Sequence, residues 1–368
     1  MQTLTPFIGT GVAYEDDLFS ADESSFELSL TPGASYELET PRSKLLLNTQ
    51  VTYTDNLDED EFDRLTTLNL LRQTYQLTQR LEGSAGVIFN IQETYRTAFE
   101  EAGVAGNASR EYQYTFPMGL SYALTDLSTL GLNYSFSIFD YADDSFTDRT
   151  SHAAGLGLAH LLTPRTTVTP SVSYAHVQYE ARQDRPRLDQ DVVTPELALS
   201  YLLTERITVG ASAGVSLVKS SFAGAGEDDS TRFFVFGVHG GYAGMRTTAG
   251  IQANRSIDQT LLGDSLIRDK VAGSVTYAVT RDIAVGVSGF YSVSENVDAD
   301  GGGTYKAFRV SPVITFTRPF RLSENITLDV GYDMFFALDG DPDQRNDDSY
   351  ENSNRAFALV TWRLPTRY

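Results

Sequence analysis

Residues 130–138 alternate without a break. Leu130, Leu132, Tyr134, Phe136 and Ile138 fall on one face of an extended strand, and Gly131, Asn133, Ser135 and Ser137 on the other. The same period of two recurs along the whole chain, with no helix-period segment to cover an apolar sheet face. Apolar side chains turned outward on every strand need lipid around them. The pattern therefore predicts an all-β fold, a transmembrane antiparallel β-barrel forming one domain over residues 1–368.

Eighteen strands are predicted, at 5–14, 25–38, 43–54, 63–77, 81–95, 111–124, 128–140, 150–161, 166–180, 192–203, 207–221, 231–242, 245–257, 266–278, 283–295, 305–317, 324–336 and 354–367. Sixteen follow instead if one hairpin, such as 245–278, is not membrane-spanning. No run reaches the roughly 18–20 apolar residues of a spanning helix, so insertion has to be by a closed barrel.

The connections come in two kinds. Short ones include Thr40-Pro41-Arg42, Thr125-Asp126-Leu127, Thr163-Pro164-Arg165, Thr204-Glu205-Arg206, Ala243-Gly244 and Thr280-Arg281-Asp282, with the Thr, Pro and Gly of tight turns. Longer, acidic ones include Glu15-Asp16-Asp17, Asp58-Glu59-Asp60-Glu61, Asp143-Asp144, Glu227-Asp228-Asp229, Asp298-Ala299-Asp300 and the stretch 339–351. Strict alternation of the two predicts short periplasmic turns, longer external loops and both termini in the periplasm of a bacterial outer-membrane protein.

The formal charge is −21, with Lys and Arg scattered, which argues against nucleic acid as a partner. Twenty Tyr and 21 Phe argue against the disorder that acidic excess can signal. Absence of cysteine excludes disulfides, thiolate metal ligands and thiol catalysis. Met1 runs almost directly into the first strand, the expectation for a mature barrel whose leader has been replaced by a start methionine. Back from Tyr368, the alternate residues Thr366, Leu364, Trp362, Val360 and Ala358 resemble the C-terminal signal of bacterial outer-membrane proteins.

The N-terminal stretch from Ala13-Tyr14-Glu15-Asp16-Asp17-Leu18-Phe19 through Leu30-Thr31-Pro32-Gly33-Ala34-Ser35-Tyr36 resembles a set of bacterial outer-membrane β-barrel proteins associated with exopolysaccharide production and the PEP-CTERM sorting system. Asp17 stands where that family usually has Asn. The resemblance implies location and architecture more than activity.

Candidate chemistry is sparse. Four histidines are available: His152, His160, His176 and His239. His152 and His160 share a face of one strand, and Ser151 beside the first raises the thought of a phospholipase-like Ser–His arrangement. Lumen or girdle histidines are the plainer reading, and no enzyme, catalytic residue or cofactor is expected. Asp339, Asp341 and Asp343 alternate in a way a calcium ion could use, against the plainer reading of a solvated acidic loop. Divalent ions bridging the acidic loops to lipopolysaccharide phosphates would make outer-membrane lipid a partner.

The remaining candidate is the lumen. Strand alternation lines it with Asn48, Gln50 and Thr52; with Asn133, Ser135 and Ser137; with Ser288 and Ser292; and with Thr327, Asp329 and Asp333. Leu46, Ala284, Gly286, Phe290, Asn325 and Gly331 complete those faces. This lining is small, polar and lightly charged, and a barrel of 16–18 strands leaves an aqueous channel. The expectation is a passive conduit for exopolysaccharide, working with periplasmic export machinery. A diffusion porin and a non-conducting scaffold are the alternatives. An acidic mouth would favour cations within a Debye length of roughly 8–10 Å.

Overall fold

The computed structural model describes all residues except 17–23, 58–62, 95–108, 144–145, 182–186, 223–227, 260–264, 297–303, 320–324, 340–349, 365 and 368. Its strands are β1 (Gln2–Asp16), β2 (Ser25–Glu39), β3 (Ser43–Asn56), β4 (Arg64–Gln76), β5 (Leu81–Glu93) and β6 (Arg110–Thr125). Next come β7 (Ser128–Tyr141), β8 (Arg149–Thr163), β9 (Thr166–Tyr179), β10 (Leu188–Thr204), β11 (Ile207–Phe222) and β12 (Asp228–Ala243). The last six are β13 (Thr247–Gln259), β14 (Ser265–Ala278), β15 (Ile283–Asn296), β16 (Thr304–Thr317), β17 (Ile326–Asp339) and β18 (Tyr350–Arg363). Thr366–Arg367 extends β18 along β1.

Each strand pairs antiparallel with its sequence neighbours, and β1 pairs with β18 from Phe7↔Arg363 to Asp16↔Asn354. The sheet is thus a closed up-and-down barrel with no free edge, the arrangement that satisfies backbone groups in lipid. The 245–278 hairpin is part of the wall, so the count is eighteen rather than sixteen. At about 3.3 Å per residue and about 40° of tilt, a 14-residue strand rises about 35 Å, more than an apolar band of about 25 Å.

Six short turns share one device, and in one of them the Thr125 hydroxyl accepts the Leu127 N–H at 3.2 Å. The Thr40, Thr78 and Thr204 hydroxyls each accept the backbone N–H groups two and three residues on, with contacts of 2.9–3.4 Å. Thr163 and Thr280 each accept the N–H two residues on, at 3.2 and 3.1 Å. Such side-chain turns fix the register of the hairpins they close. Six turns put an arginine at the same rim: Arg42, Arg80, Arg165, Arg206, Arg246 and Arg281. Strict alternation of lengths fails once. Eight residues, 318–325, join β16 to β17, as many as separate β1 from β2.

Register divides every strand into two faces. Leu28, Leu132, Leu197, Val238, Ile251, Val275, Val287 and Trp362 are exposed on the outer one. Near the turn rim every even-numbered strand carries an outward ring: Tyr36, Tyr75, Tyr122, His160, Tyr201, Tyr242, Tyr277, Phe316 and Trp362. His160 takes the girdle place that an aromatic holds on the other eight. From Phe308 to Phe316 is eight residues and from Phe26 to Tyr36 is ten, or about 20–25 Å of band along the barrel axis.

One wall joint is incomplete. β12 and β13 pair only from Phe236↔Arg255 to Ala243↔Thr248, so their loop-side ends are bonded to β11 and β14 but not to one another.

Candidate functional site in the barrel lumen

The inner face is identified by a cavity of about 720 Å³. Glu27, Gln50, Thr52, Arg64 and Gln92 of β2–β5 line it together with Arg268, Lys270, Phe290 and Ser292 of β14 and β15. Those two groups of strands are far apart around the wall, so their side chains share a cavity only across the interior. A second cavity of about 740 Å³ lies along β12–β18 and includes His239, Gln252, Ser288, Ser311, Arg309 and Asp333.

All eleven residues expected in the lining fall on this face by register. Gln50, Thr52 and Ser292 meet in the first cavity, and Ser288 and Asp333 in the second. Asn48, Asn133, Ser135, Ser137, Thr327 and Asp329 line the face elsewhere. Side chains of the adjacent strands hold several of them. Thr52 lies 3.0 Å from Thr31, and Ser137 lies 3.0 Å from Thr115. Thr315 donates to Asp329 at 2.6 Å. Hydroxyl-rich strands on this face are therefore a cross-linked surface, with side-chain pairs spanning adjacent strands.

A lightly charged lining is not what the fold provides. Glu27, 1% exposed, accepts from Arg64 at 2.5 Å and from Arg355 at 2.7 Å. Arg355 also lies 3.7 Å from Glu15, whose other oxygen accepts from Ser353 at 2.8 Å. Arg309 pairs with Asp333 at 3.3 Å, and Arg268 with Asp258 at 3.1 Å. Burial of these groups is tolerable because each charge meets an opposite one. The physical reason the linear pattern underweighted them is their placement towards the loop ends of strands, where a charge reads equally well as rim or loop.

Apolar side chains also enter the lumen. Tyr141 and Phe146 cluster with Phe139, and Val177, Tyr179 and Leu188 form a second group, both towards the loop rim. A third, Tyr305, Ala307 and Phe335, packs against Phe290. Glycines opposite large inward side chains give these room. Phe357 lies over Gly331, its cross-strand partner, where an added Cβ would come within 2.5 Å of the ring.

The histidines do not assemble a reactive pair. His152 points outward, 2.8 Å from the Tyr134 hydroxyl and against Phe136, whereas Ser151 points inward, on the other side of the wall. His176 faces outward with Asp191 at 2.9 Å, and His239 alone of the four faces the lumen. Of the calcium candidates, Asp341 and Asp343 lie outside the described residues, and Asp339 ends β17 with its side chain outside them. Among the described residues no three His, Asp or Glu side chains are grouped to hold a metal ion.

No protein-family model and no curated protein matches the chain. Solved structures do. The apoprotein form of the FrpB iron transporter from Neisseria meningitidis superposes with a TM-score of 0.56 at 9% identity, covering 98% of this chain and 81% of that one. OccK11 (OpdR) from Pseudomonas aeruginosa gives 0.50 at 10% identity, covering 100% and 96%. OccAB4 from Acinetobacter baumannii gives 0.50 at 10% identity, covering 99% and 98%. At such identities the likeness establishes the fold: a large closed antiparallel barrel.

Proposed function

We propose that this protein is a bacterial outer-membrane channel, passing hydrated solutes through its lumen, with the short turns and both termini on the periplasmic side. One observation carries the reading. An apolar outer surface bounded by aromatic rows encloses a wall whose inner face is hydroxyls, amides and charges around cavities of 720–740 Å³. A protein that only anchored something would have no use for a polar interior, and an 18-stranded wall is too wide for side chains to fill.

Within that reading the narrower assignment is passage of sugars, with exopolysaccharide export in view. Ser, Thr, Asn and Gln side chains exchange hydrogen bonds with sugar hydroxyls without holding them tightly. Export machinery would meet the arginine-bearing turn rim, and lipopolysaccharide phosphates the acidic loop rim through divalent ions. Diffusion of small solutes is the second reading, favoured by the apolar clusters around Tyr141 and Tyr179, which place large side chains inside the wall near the loops.

Swelling of proteoliposomes in isotonic sugars of graded size tests the proposal. Rapid swelling in monosaccharides supports a channel. Continued swelling with oligosaccharides supports the polymer-wide reading, and no swelling with folded protein removes the channel.

A further inference from the structure

The two lumen cavities share Lys270, Phe290 and Phe357. Among the described residues, Lys270 differs from the other cations around it. Arg64, Arg268, Arg309 and Arg355 each have a carboxylate at 3.3 Å or less. The Lys270 ammonium instead stands over the Phe290 ring, 4.4 Å from its centroid. A cation held on an aromatic face keeps most of its charge available to a third group.

Phe290 is itself fixed. It packs on Tyr305, Ala307 and Phe335, and Arg309 is its direct cross-strand partner. Hydroxyls and amides surround the pair: Ser292 lies across the strand from Lys270, and Gln252, Ser274 and Ser288 follow along the same wall. An available ammonium, rigid aromatic edges and a field of hydroxyl partners together match a ring-shaped polyol bearing a carboxylate.

We propose that Lys270 and Phe290 form a binding subsite for sugar acids, a uronate being the simplest. The carboxylate lies on the Lys270 ammonium, the C–H face of the ring lies on Phe290 or Phe357, and the hydroxyls bond to the serines and Gln252. This rests on the channel reading, since the ligand reaches the subsite only through the lumen. It also sets the local preference against the −21 charge of the chain: the mid-lumen wall draws anions although the loop rim repels them.

The test is calorimetric titration of the refolded, detergent-solubilised protein with glucuronate, glucose and acetate, alongside single-channel recording in the same ligands. Glucuronate binding that exceeds both others, and falls about tenfold in Lys270→Gln and in part in Phe290→Leu, supports the subsite. Tighter binding of a glucuronate oligomer than of the monomer identifies a polymer as the source, and equal affinity per unit identifies the free sugar acid. Conductance without any glucuronate preference overturns the subsite and leaves the channel standing. Binding without conductance keeps the subsite and overturns the channel. Unchanged affinity in Lys270→Gln, with the variant folded, overturns the role of the lysine.

Discussion

Arg355 on β18 reaches over β1 to Glu27 on β2, with its Nη2 atom 2.7 Å from Oε2. The contact crosses the seam where the first and last strands meet, so a pair 328 residues apart in sequence fastens the ring from inside. Arg64 on β4 holds the other oxygen of the same carboxylate, extending the fastening to a third strand.

Removing Arg355 leaves Glu27 with Arg64 and Glu15 with the Ser353 hydroxyl, so Arg355→Met should cost about 2 kcal/mol, less than a fully orphaned buried charge. Arg64→Met with Arg355→Met should cost about 3–5 kcal/mol, and adding Glu27→Leu should recover a large part of it. Urea unfolding in lipid vesicles measures each step. Independent, additive losses would mean that the three groups do not act as one network.

Val287 and Ser288 are neighbours on opposite faces of β15. Val287 is 47% exposed on the outer surface, and Ser288 lines the second cavity. Val287→Arg should destabilise the membrane-embedded barrel by about 2–4 kcal/mol, as a charge deep in the lipid does. Ser288→Arg should leave stability nearly unchanged and alter conductance. The same unfolding assay decides, and a reversed order would invert the face assignment of the whole sheet.

Gly331 gives Phe357 its place across the β17–β18 ladder. Gly331→Ala should push the ring from its position, cost about 1–3 kcal/mol by overpacking, and change the lumen cross-section. Gly241 has open space around its Cβ direction, so Gly241→Ala is the control expected to unfold like the parent. Matching losses for the two would show that any added methyl is resisted, and not the Phe357 contact in particular.

The partial β12–β13 joint should appear in hydrogen exchange. Amides of residues 231–235 facing β13 lack a ladder partner there, whereas the equivalent span of β11 is paired on β12 throughout. Exchange about tenfold faster on the unpaired side is expected. Equal protection along both would mean that the two strand ends pair fully in the membrane.

The architecture was readable because alternation is a local property. Residues 128–141 declare both faces of β7 without reference to anything distant, and threonine-led turns such as Thr204-Glu205-Arg206 mark where several hairpins close. Strand ends were harder. β10 begins at Leu188 and β18 at Tyr350, earlier than 192 and 354, because pairing continues into acidic stretches that read as loop. The charged belt was obscured for a different reason. Lys270 sits at an alternate position like Ala272 and Ser274, so its face was legible. What it meets across the lumen depends on the closure of eighteen strands, and Glu27 gives no local sign that Arg355 will lie beside it.

Single-channel recording of the refolded protein in a planar bilayer, with neutral polymers of graded size added, tests the central claim most directly. A steady conductance that polymers below a definite size reduce is the predicted result, because such polymers enter an open lumen. Silence from protein whose folding is verified by its resistance to urea would contradict the account, leaving a closed barrel whose polar interior serves no passage.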